Sequence, residues 1–171
     1  MRIGSAAVAL AFIAAPATAE VKSASASHFD LESRVTVAAS PAQAYEALGW
    51  IGSWWNPAHT YSGDSENLRI ELRGGGCFCE TLPSGGTVEH MRVIQALPGS
   101  AVRLSGGLGP LQSEALAGTL SWTLRAVDGG TEITTVYLVS GHARGSLTQL
   151  APLVDAVLRE QMERLRAQLA R

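Results

Sequence analysis

The sequence predicts an α+β fold in which seven antiparallel strands are covered by one long C-terminal helix. Short segments of alternating apolar and polar residues, separated by turns rich in glycine and proline, fill residues 67–140, as in antiparallel hairpins. From residue 147 to 169, leucine, valine and methionine recur at three- and four-residue spacing, the period of an amphipathic helix. A sheet with one apolar face needs a cover, and this helix is the only predicted element long enough to supply it.

The first 19 residues have the layout of a secretory signal peptide. Arg2 precedes an apolar run, and Ala17-Thr18-Ala19 supplies the small residues of a cleavage site. We therefore expect cleavage after Ala19 and a periplasmic or secreted protein, the alternative being a retained N-terminal anchor. Residues 20–28 are small and polar and predict a flexible leader, which leaves residues 29–171 as a single domain.

Charge and cysteine content narrow the range of partners. The 171-residue chain has a formal net charge of −2, which gives no electrostatic reason to expect binding to nucleic acid or to an anionic membrane surface. After the apolar run at the N-terminus no second long one follows, so we expect no stable membrane insertion once the signal is cleaved. With only two cysteines, no disulfide framework is expected to hold the domain together.

The predicted elements begin with a strand over residues 29–37, where apolar and polar residues alternate. The sequence Ser40-Pro41-Ala42-Gln43 is a capping box with proline at the first helical position, and it predicts a short helix to about Leu48. The final helix is predicted to be firm from Pro152 onward. Six further strands are predicted at residues 67–73, 77–82, 87–97, 101–106, 115–126 and 131–140.

An aromatic cluster lies between the short helix and the second predicted strand, in the stretch GWIGSWWNPAHTYSGD at residues 49–64. Tryptophan and tyrosine bury large areas, but their polar ends need partners when buried. Trp50 and Trp54 are four residues apart and are open to interpretation as a core plug. For Trp55, His59 and Tyr61 we favour the wall of a binding site.

Hairpin register predicts a pair of inward carboxylates. If the hairpin at residues 82–87 closes symmetrically about Ser84-Gly85, Glu80 lies opposite Glu89 on the apolar face and His90 lies on the outer face. Desolvation and like charge would raise the pKa of both glutamates, which is typical of acid–base sites and of polar anchors in ligand cavities. His59, beside Tyr61, would then share a proton or a hydrogen bond with one of them. The alternative is a slip by one residue, which places both glutamates in solvent.

Cys77 and Cys79 leave three interpretations open. With His90 opposite Cys79 and Glu71 on its other side, they resemble a small soft-metal site. Alternate residues of a regular strand stand about 7 Å apart, too far for an unstrained disulfide, so exposed structural cysteines are favoured over a metal site and over a redox or strained-disulfide role. No metal or cofactor is predicted.

The strand order, together with the residues around WWNPAHTYSG, GGCFCE and VEHMRV, resembles the SRPBCC superfamily of START-related helix-grip proteins over roughly residues 29–170. The resemblance is to the branch of polyketide cyclase/dehydrase and lipid-transport proteins. It implies a curved seven-stranded sheet around the C-terminal helix, short helices after the first strand, and a cavity for a hydrophobic or aromatic small molecule. Both carriers and enzymes occur in this superfamily.

We therefore predict an exported protein that binds a lipid or a polyketide-like molecule without a cofactor. The alternative is a cofactor-independent cyclase, dehydratase or hydrolase in which Glu80 or Glu89 is the acid–base group, assisted by His59 or Tyr61. The expected ligand-contacting residues are Trp54, Trp55, His59, Tyr61, Phe78, Met91, Trp122 and Tyr137.

Overall fold

The computed structural model describes residues 18–171, which form one open antiparallel sheet of eight strands and two α-helices. The α-helices are α1 (Pro41–Gly49) and α2 (Leu147–Leu169). The strands are β1 (Thr18–Ala24), β2 (His28–Val37), β3 (Leu68–Ile70), β4 (Cys77–Thr81), β5 (Thr87–Leu97), β6 (Ala101–Ser105), β7 (Ala115–Val127) and β8 (Gly130–His142). They lie in the order β1-β2-β8-β7-β6-β5-β4-β3. The predicted α+β class and the long C-terminal helix are confirmed, but the predicted count of seven strands is wrong.

The additional strand is β1, in the segment that the sequence assigned to the end of a signal peptide and a flexible leader. It pairs with β2 from Thr18 opposite Arg34 to Ala24 opposite Phe29. Backbone hydrogen bonds hold such an edge strand whatever its side chains are, so the small polar residues of this segment gave no strand signal. The predicted cleavage point after Ala19 falls within β1. The rest of the predicted signal peptide lies outside the described residues, and cleavage stays a prediction.

Local sequence explains where the main elements begin. Apolar residues at alternate positions of β2 are buried, as its period of two requires. α1 begins at the predicted capping box: the Ser40 hydroxyl accepts from the Gln43 backbone N–H, and the Gln43 side chain accepts from the Ser40 N–H at 3.0 Å. Ser146 caps α2 in the same way by accepting from the N–H of Gln149. α2 therefore begins at Leu147, before the point from which the sequence predicted a firm helix.

The core lies between one face of the sheet and the helices. From α2, the side chains of Leu158, Met162 and Leu165 are buried against the strands, and α2 packs mainly on β2 and β1. Neither helix in residues 18–171 combines the length and apolar character that crossing a bilayer requires.

A β-bulge in the hairpin of β4 and β5 changes the predicted register. Near the turn Glu80 pairs with Val88 and Cys79 with Glu89, whereas further along Phe78 pairs with Met91 as predicted. The turn closes over five residues, with the Leu82 N–H donating to the Gly86 carbonyl oxygen at 2.8 Å, rather than symmetrically about Ser84-Gly85. One extra residue on β5 then restores the predicted register.

That extra residue is His90, and the bulge reverses two predicted orientations. Glu80 is inward and fully buried, as predicted. Glu89 is exposed on the outer face, where it pairs with Arg92, so the predicted opposition of Glu80 and Glu89 is wrong. His90 was predicted to lie outside, but it is buried with 6% of its surface exposed. The buried polar pair of this hairpin is therefore a glutamate and a histidine.

Candidate functional site

A cavity of about 440 Å³ lies between α2, β5 and two loops. One loop is the segment 54–64, here called the aromatic loop, and the other precedes β7 at residues 106–114. The lining residues are Trp55, Ala58, His59, Thr60 and Tyr61 from the aromatic loop, His90 from β5, Leu108, Gly109 and Pro110 from the second loop, and Leu150, Leu153, Val154, Val157 and Leu158 from α2. The α2 wall is entirely aliphatic, and the polar lining groups come from the aromatic loop and His90.

Glu80 lies behind this wall and is fully occupied by protein donors. One carboxylate oxygen accepts from the backbone N–H of Ser62, and the other accepts from the backbone N–H of Tyr61 at 3.1 Å and lies 2.9 Å from Nε2 of His90. Burial favours a raised pKa for Glu80, but hydrogen bonding by Ser62, the Tyr61 N–H and His90 outweighs burial and lowers the pKa below its ordinary 4.5. Glu80 is thus a carboxylate that orients other groups rather than one that contacts a ligand.

His90 is the titratable group that reaches the cavity from this pair. Burial lowers its pKa below the ordinary 6.5, although the hydrogen bond and charge of Glu80 act in the opposite direction. At neutral pH the imidazole is therefore uncharged. Because a carboxylate can only accept, Nε2 carries the proton and Nδ1 carries the lone pair. Among the described residues nothing hydrogen-bonds to Nδ1, which leaves this nitrogen available to a ligand.

Aromatic rings hold the His90 imidazole in place. The centroid of the Phe78 ring lies 4.9 Å from that of the imidazole, and the centroid of the Tyr61 ring lies 5.7 Å from it. The interplanar angles are 31° and 33°. Trp55 packs edge-on against Phe78 at 5.6 Å, and its Nε1 donates to the carbonyl oxygen of His59. The orientation of His90 is therefore fixed by Glu80 on one edge and by rings on its faces.

Polar contacts join the aromatic loop to α2 and to the second loop. Nε2 of His59 lies 3.1 Å from a carboxylate oxygen of Glu160 on α2, and the Asn56 amide donates to the other oxygen. The hydroxyl of Tyr61 donates to the carbonyl oxygen of Gly109 at 3.1 Å, which joins the aromatic loop to the second loop. The prediction that His59 hydrogen-bonds to Glu80 or Glu89 is wrong, because its partner is Glu160. Tyr61 does meet Glu80, but through its backbone N–H.

Of the eight predicted ligand-contacting residues, the structure places Trp55, His59 and Tyr61 on the cavity wall. The other five, Trp54, Phe78, Met91, Trp122 and Tyr137, are buried within the core and do not line this cavity. Trp54 donates from Nε1 to the carbonyl oxygen of Ala47 and packs edge-on against Trp122 at 6.4 Å, so the interpretation of Trp54 as a core plug fits its position. For Trp50 that interpretation is wrong, since 59% of its surface is exposed.

Tyr137 holds the second loop in place by hydrogen bonds from the core. Its hydroxyl accepts from the Leu108 N–H at 3.1 Å and donates to the Gly106 carbonyl oxygen at 3.2 Å. Burial, only partly offset by the bond from Leu108, raises the pKa of Tyr137 to about 12. It therefore stays protonated and acts as a structural support for the cavity wall.

Cys77 and Cys79 form a disulfide on the outer side of the same hairpin, with Cα atoms 5.4 Å apart. The expectation that they stand too far apart assumed a regular strand, whereas the ladder is irregular between Phe78 and Cys79. A carboxylate oxygen of Glu89 joins their sulfurs in a cluster of atoms within 4.8 Å of one another. Because thiolates rather than disulfide sulfurs bind metals, the oxidised pair is not a metal site.

The inward position of His90 and the contact of Glu160 with His59 were not predicted from the sequence. The available signal for His90 was the Pro83-Ser84-Gly85-Gly86 stretch, which permits a five-residue turn as readily as a symmetric one. A shift of one residue at the turn exchanges the two faces of a strand. Glu160 gave no local signal, because it meets His59 across 101 residues of sequence.

The fold and cavity define a class of α+β protein in which a sheet, a C-terminal helix and two loops enclose a cavity. No protein-family model and no curated protein sequence matches the chain. Among solved structures, it is similar to the di-domain ARO/CYC StfQ from the steffimycin biosynthetic pathway, at 17% identity over 82% of this chain and 50% of that chain, with a TM-score of 0.56.

Two further solved structures are similar along their whole length. Protein MLL2253 from Mesorhizobium loti is 14% identical over 82% of this chain and 96% of its own, with a TM-score of 0.58. A protein from Rhodobacter sphaeroides is 23% identical over 90% of this chain and 98% of its own, with a TM-score of 0.55. At these identities the comparisons show a shared fold.

Proposed function

We propose that this protein binds one hydrophobic or aromatic small molecule in the cavity beside α2, and that it is an SRPBCC helix-grip protein. The observation that carries the proposal is an apolar cavity of about 440 Å³ with a buried, oriented histidine at one side. Small-molecule sites are typically apolar clefts of about 300–1,000 Å³ with a few fixed polar groups. The fold shared with StfQ, an ARO/CYC of a biosynthetic pathway, supports the same class of ligand.

The lining indicates how such a ligand is oriented. Its apolar body packs on Val154, Val157 and Leu158 of α2, because these side chains offer no hydrogen bonds. Its polar end carries a hydroxyl or another donor, since the free Nδ1 of His90 is an acceptor. A lipid or polyketide-like molecule with one hydroxyl at its end fits this arrangement.

Export is part of the proposal. The N-terminal sequence has the layout of a signal peptide, and the Cys77–Cys79 disulfide is compatible with a periplasmic or extracellular location because disulfides persist in oxidising compartments. N-terminal sequencing of the protein from the periplasm or the medium tests this part. We expect Glu20 as the first residue, and an intact Met1 on the cellular protein contradicts export by cleavage.

Filling the cavity tests ligand binding. In Val157→Trp the indole occupies the space beside α2, so the affinity for an apolar fluorescent probe such as anilinonaphthalene sulfonate should fall about tenfold or more. Ala156→Trp is the matched control, since residue 156 is the exposed neighbour on the same helix, and it should leave the affinity unchanged. Native mass spectrometry of the wild type should show a copurified small molecule that Val157→Trp lacks. Equal probe affinity in both variants contradicts binding at this cavity.

A second candidate is a cofactor-independent enzyme of the cyclase or dehydratase type, and the Glu80–His90 pair favours it. Nδ1 of a neutral His90 can take a proton from a ligand, and the buried Glu80 carboxylate then stabilises the imidazolium. Glu80 is here a positioning residue, not the acid–base group that the sequence predicted, and Glu89 lies on the outer face.

His90→Gln separates the enzyme from the carrier. For an enzyme, general-base loss lowers kcat by about 10²–10⁴-fold with a smaller change in KM, and the acidic limb of the pH profile disappears. For a carrier, the variant only weakens ligand binding. Glu89→Gln, on the exposed outer face, is the control and should retain full activity. A turnover that survives His90→Gln rules out the acid–base role.

A further inference from the structure

The Cys77–Cys79 disulfide lies on the outer side of the β4–β5 hairpin and takes no part in the proposed binding of a ligand in the cavity. The two cysteines are separated by only two positions in sequence. A disulfide that closes so short a loop removes little entropy from the unfolded chain. Stabilisation of the fold therefore explains this disulfide poorly. The partial exposure of Cys77 points instead to a role in thiol–disulfide exchange.

The exposure of Cys77 favours exchange with an external thiol. Cys77 is partly exposed, whereas Cys79 has 6% of its surface exposed. Arg92 lies opposite Cys77 and Arg69 lies opposite Cys79 in the sheet. The Arg92 guanidinium pairs with Glu89 and the Gly75 carbonyl oxygen, and that of Arg69 contacts Thr81 Oγ1 at 3.4 Å. A carboxylate oxygen of Glu89 lies 3.9 Å from Cys77 Sγ and within 4.8 Å of the Cys79 sulfur, and its charge is paired with Arg92.

The disulfide is also joined to the cavity through the residue between the cysteines. Phe78 extends inward from the same three-residue stretch, and its ring packs against the His90 imidazole at 4.9 Å. His90 is the extra residue of the bulge at which this ladder is irregular. Opening the disulfide releases a covalent constraint on the backbone that carries Phe78, and hence on the contact that holds His90.

We propose that Cys77–Cys79 is a thiol–disulfide exchange site for small thiols, and that its redox state sets the environment of His90. The thiolate of an external thiol attacks Sγ of Cys77, the Cys77–Cys79 bond breaks, and Cys79 leaves as a thiolate that takes a proton. A second external thiolate then attacks the external sulfur of the mixed disulfide, which releases Cys77 and an external disulfide. Two electrons pass from the external thiols to the protein, with two protons taken up. Neither step requires a ligand in the cavity.

Glutathione buffers of defined ratio test the exchange on the folded protein. After alkylation with N-ethylmaleimide, the intact mass should show two adducts at reducing ratios while circular dichroism reports an unchanged fold. A disulfide that resists reduction until urea unfolds the chain overturns the proposal. Cys79→Ser should trap one glutathione on Cys77 at least about ten times faster than Cys77→Ser traps one on Cys79, because thiol reactivity follows exposure. Equal rates contradict the attack at Cys77.

The link to His90 has its own readout, independent of any ligand. On reduction, the imidazole NMR resonance of His90 should change, whereas the resonance of His59, which contacts Glu160, should not. The double variant Cys77→Ser/Cys79→Ser should resemble the reduced wild type at His90. An unchanged His90 signal in the fully reduced protein overturns the link. Failure of anilinonaphthalene sulfonate to bind would contradict the proposed function and leave the exchange proposal unaffected.

Discussion

Replacing Glu80 by glutamine exposes how the aromatic loop and His90 depend on one buried carboxylate. Glu80 is 0% exposed and accepts from three donors, the backbone N–H groups of Tyr61 and Ser62 and Nε2 of His90. A glutamine has one acceptor oxygen and one donor amide in the same space. In either orientation of the amide, at least one backbone N–H of the loop faces a donor and loses its partner.

The size of the effect follows from these contacts. Leaving one buried donor unsatisfied costs about 1–3 kcal/mol, and hydrogen bonds to a charged acceptor contribute about 1.5–3 kcal/mol each. We therefore expect Glu80→Gln to lower the free energy of unfolding by about 2–4 kcal/mol. Urea titration followed by tryptophan fluorescence measures it, with the free energy taken by linear extrapolation.

Glu89→Gln is the matched control for this experiment. Glu89 is the exposed carboxylate on the neighbouring strand, and its charged partner is the exposed Arg92. Exposed ion pairs contribute about 0–1 kcal/mol, so this variant should unfold almost as the wild type does. Equal losses of stability in the two variants would refute the view that Glu80 anchors the loop and that the bulge separates the two glutamates.

Acidification should destabilise the protein in two stages, measured as the free energy of unfolding at a series of pH values. His90 has a folded pKa below 6.5, so the unfolded chain takes up its proton first and stability falls as pH drops below 6.5. Glu80 has a folded pKa below 4.5, so its contribution is present above pH 4.5 and is lost as pH falls through the folded pKa. His90→Gln should remove the upper stage only, and an unaltered profile contradicts the assignment. Trp54→Ala should lower the free energy of unfolding by about 3–5 kcal/mol because Trp54 is 1% exposed. Trp50→Ala should lower it by less than about 0.5 kcal/mol because Trp50 is exposed. Thermal melts compare the two variants, and equal shifts in Tm contradict the difference in burial.

The start of α1 and the pattern of β2 agree with the sequence prediction because their signals are local. The capping box at Ser40 and Gln43 forms as the sequence indicates, and the alternating residues of β2 bury the expected side chains. β1 was missed because an edge strand is held by backbone hydrogen bonds that leave no periodic pattern in a small polar segment.

The candidate site was predictable only in part, because some of its contacts join residues that are far apart in sequence. Trp55, His59 and Tyr61 line the cavity, and their contact with a ligand stays a prediction. The partner of His59 is on α2, more than 100 residues away in sequence, and such a contact exists only after the helix has packed.

The sequence by itself determined the α+β class, the position of the aromatic loop and the inward orientation of Glu80. The tertiary structure decided that the second buried polar group is His90 and not Glu89. A period of two assigns faces correctly only along an uninterrupted ladder, and here the faces of β5 are exchanged between the bulge and the turn. That exchange converts an expected pair of like charges into a carboxylate that orients a neutral imidazole at the wall of an apolar cavity.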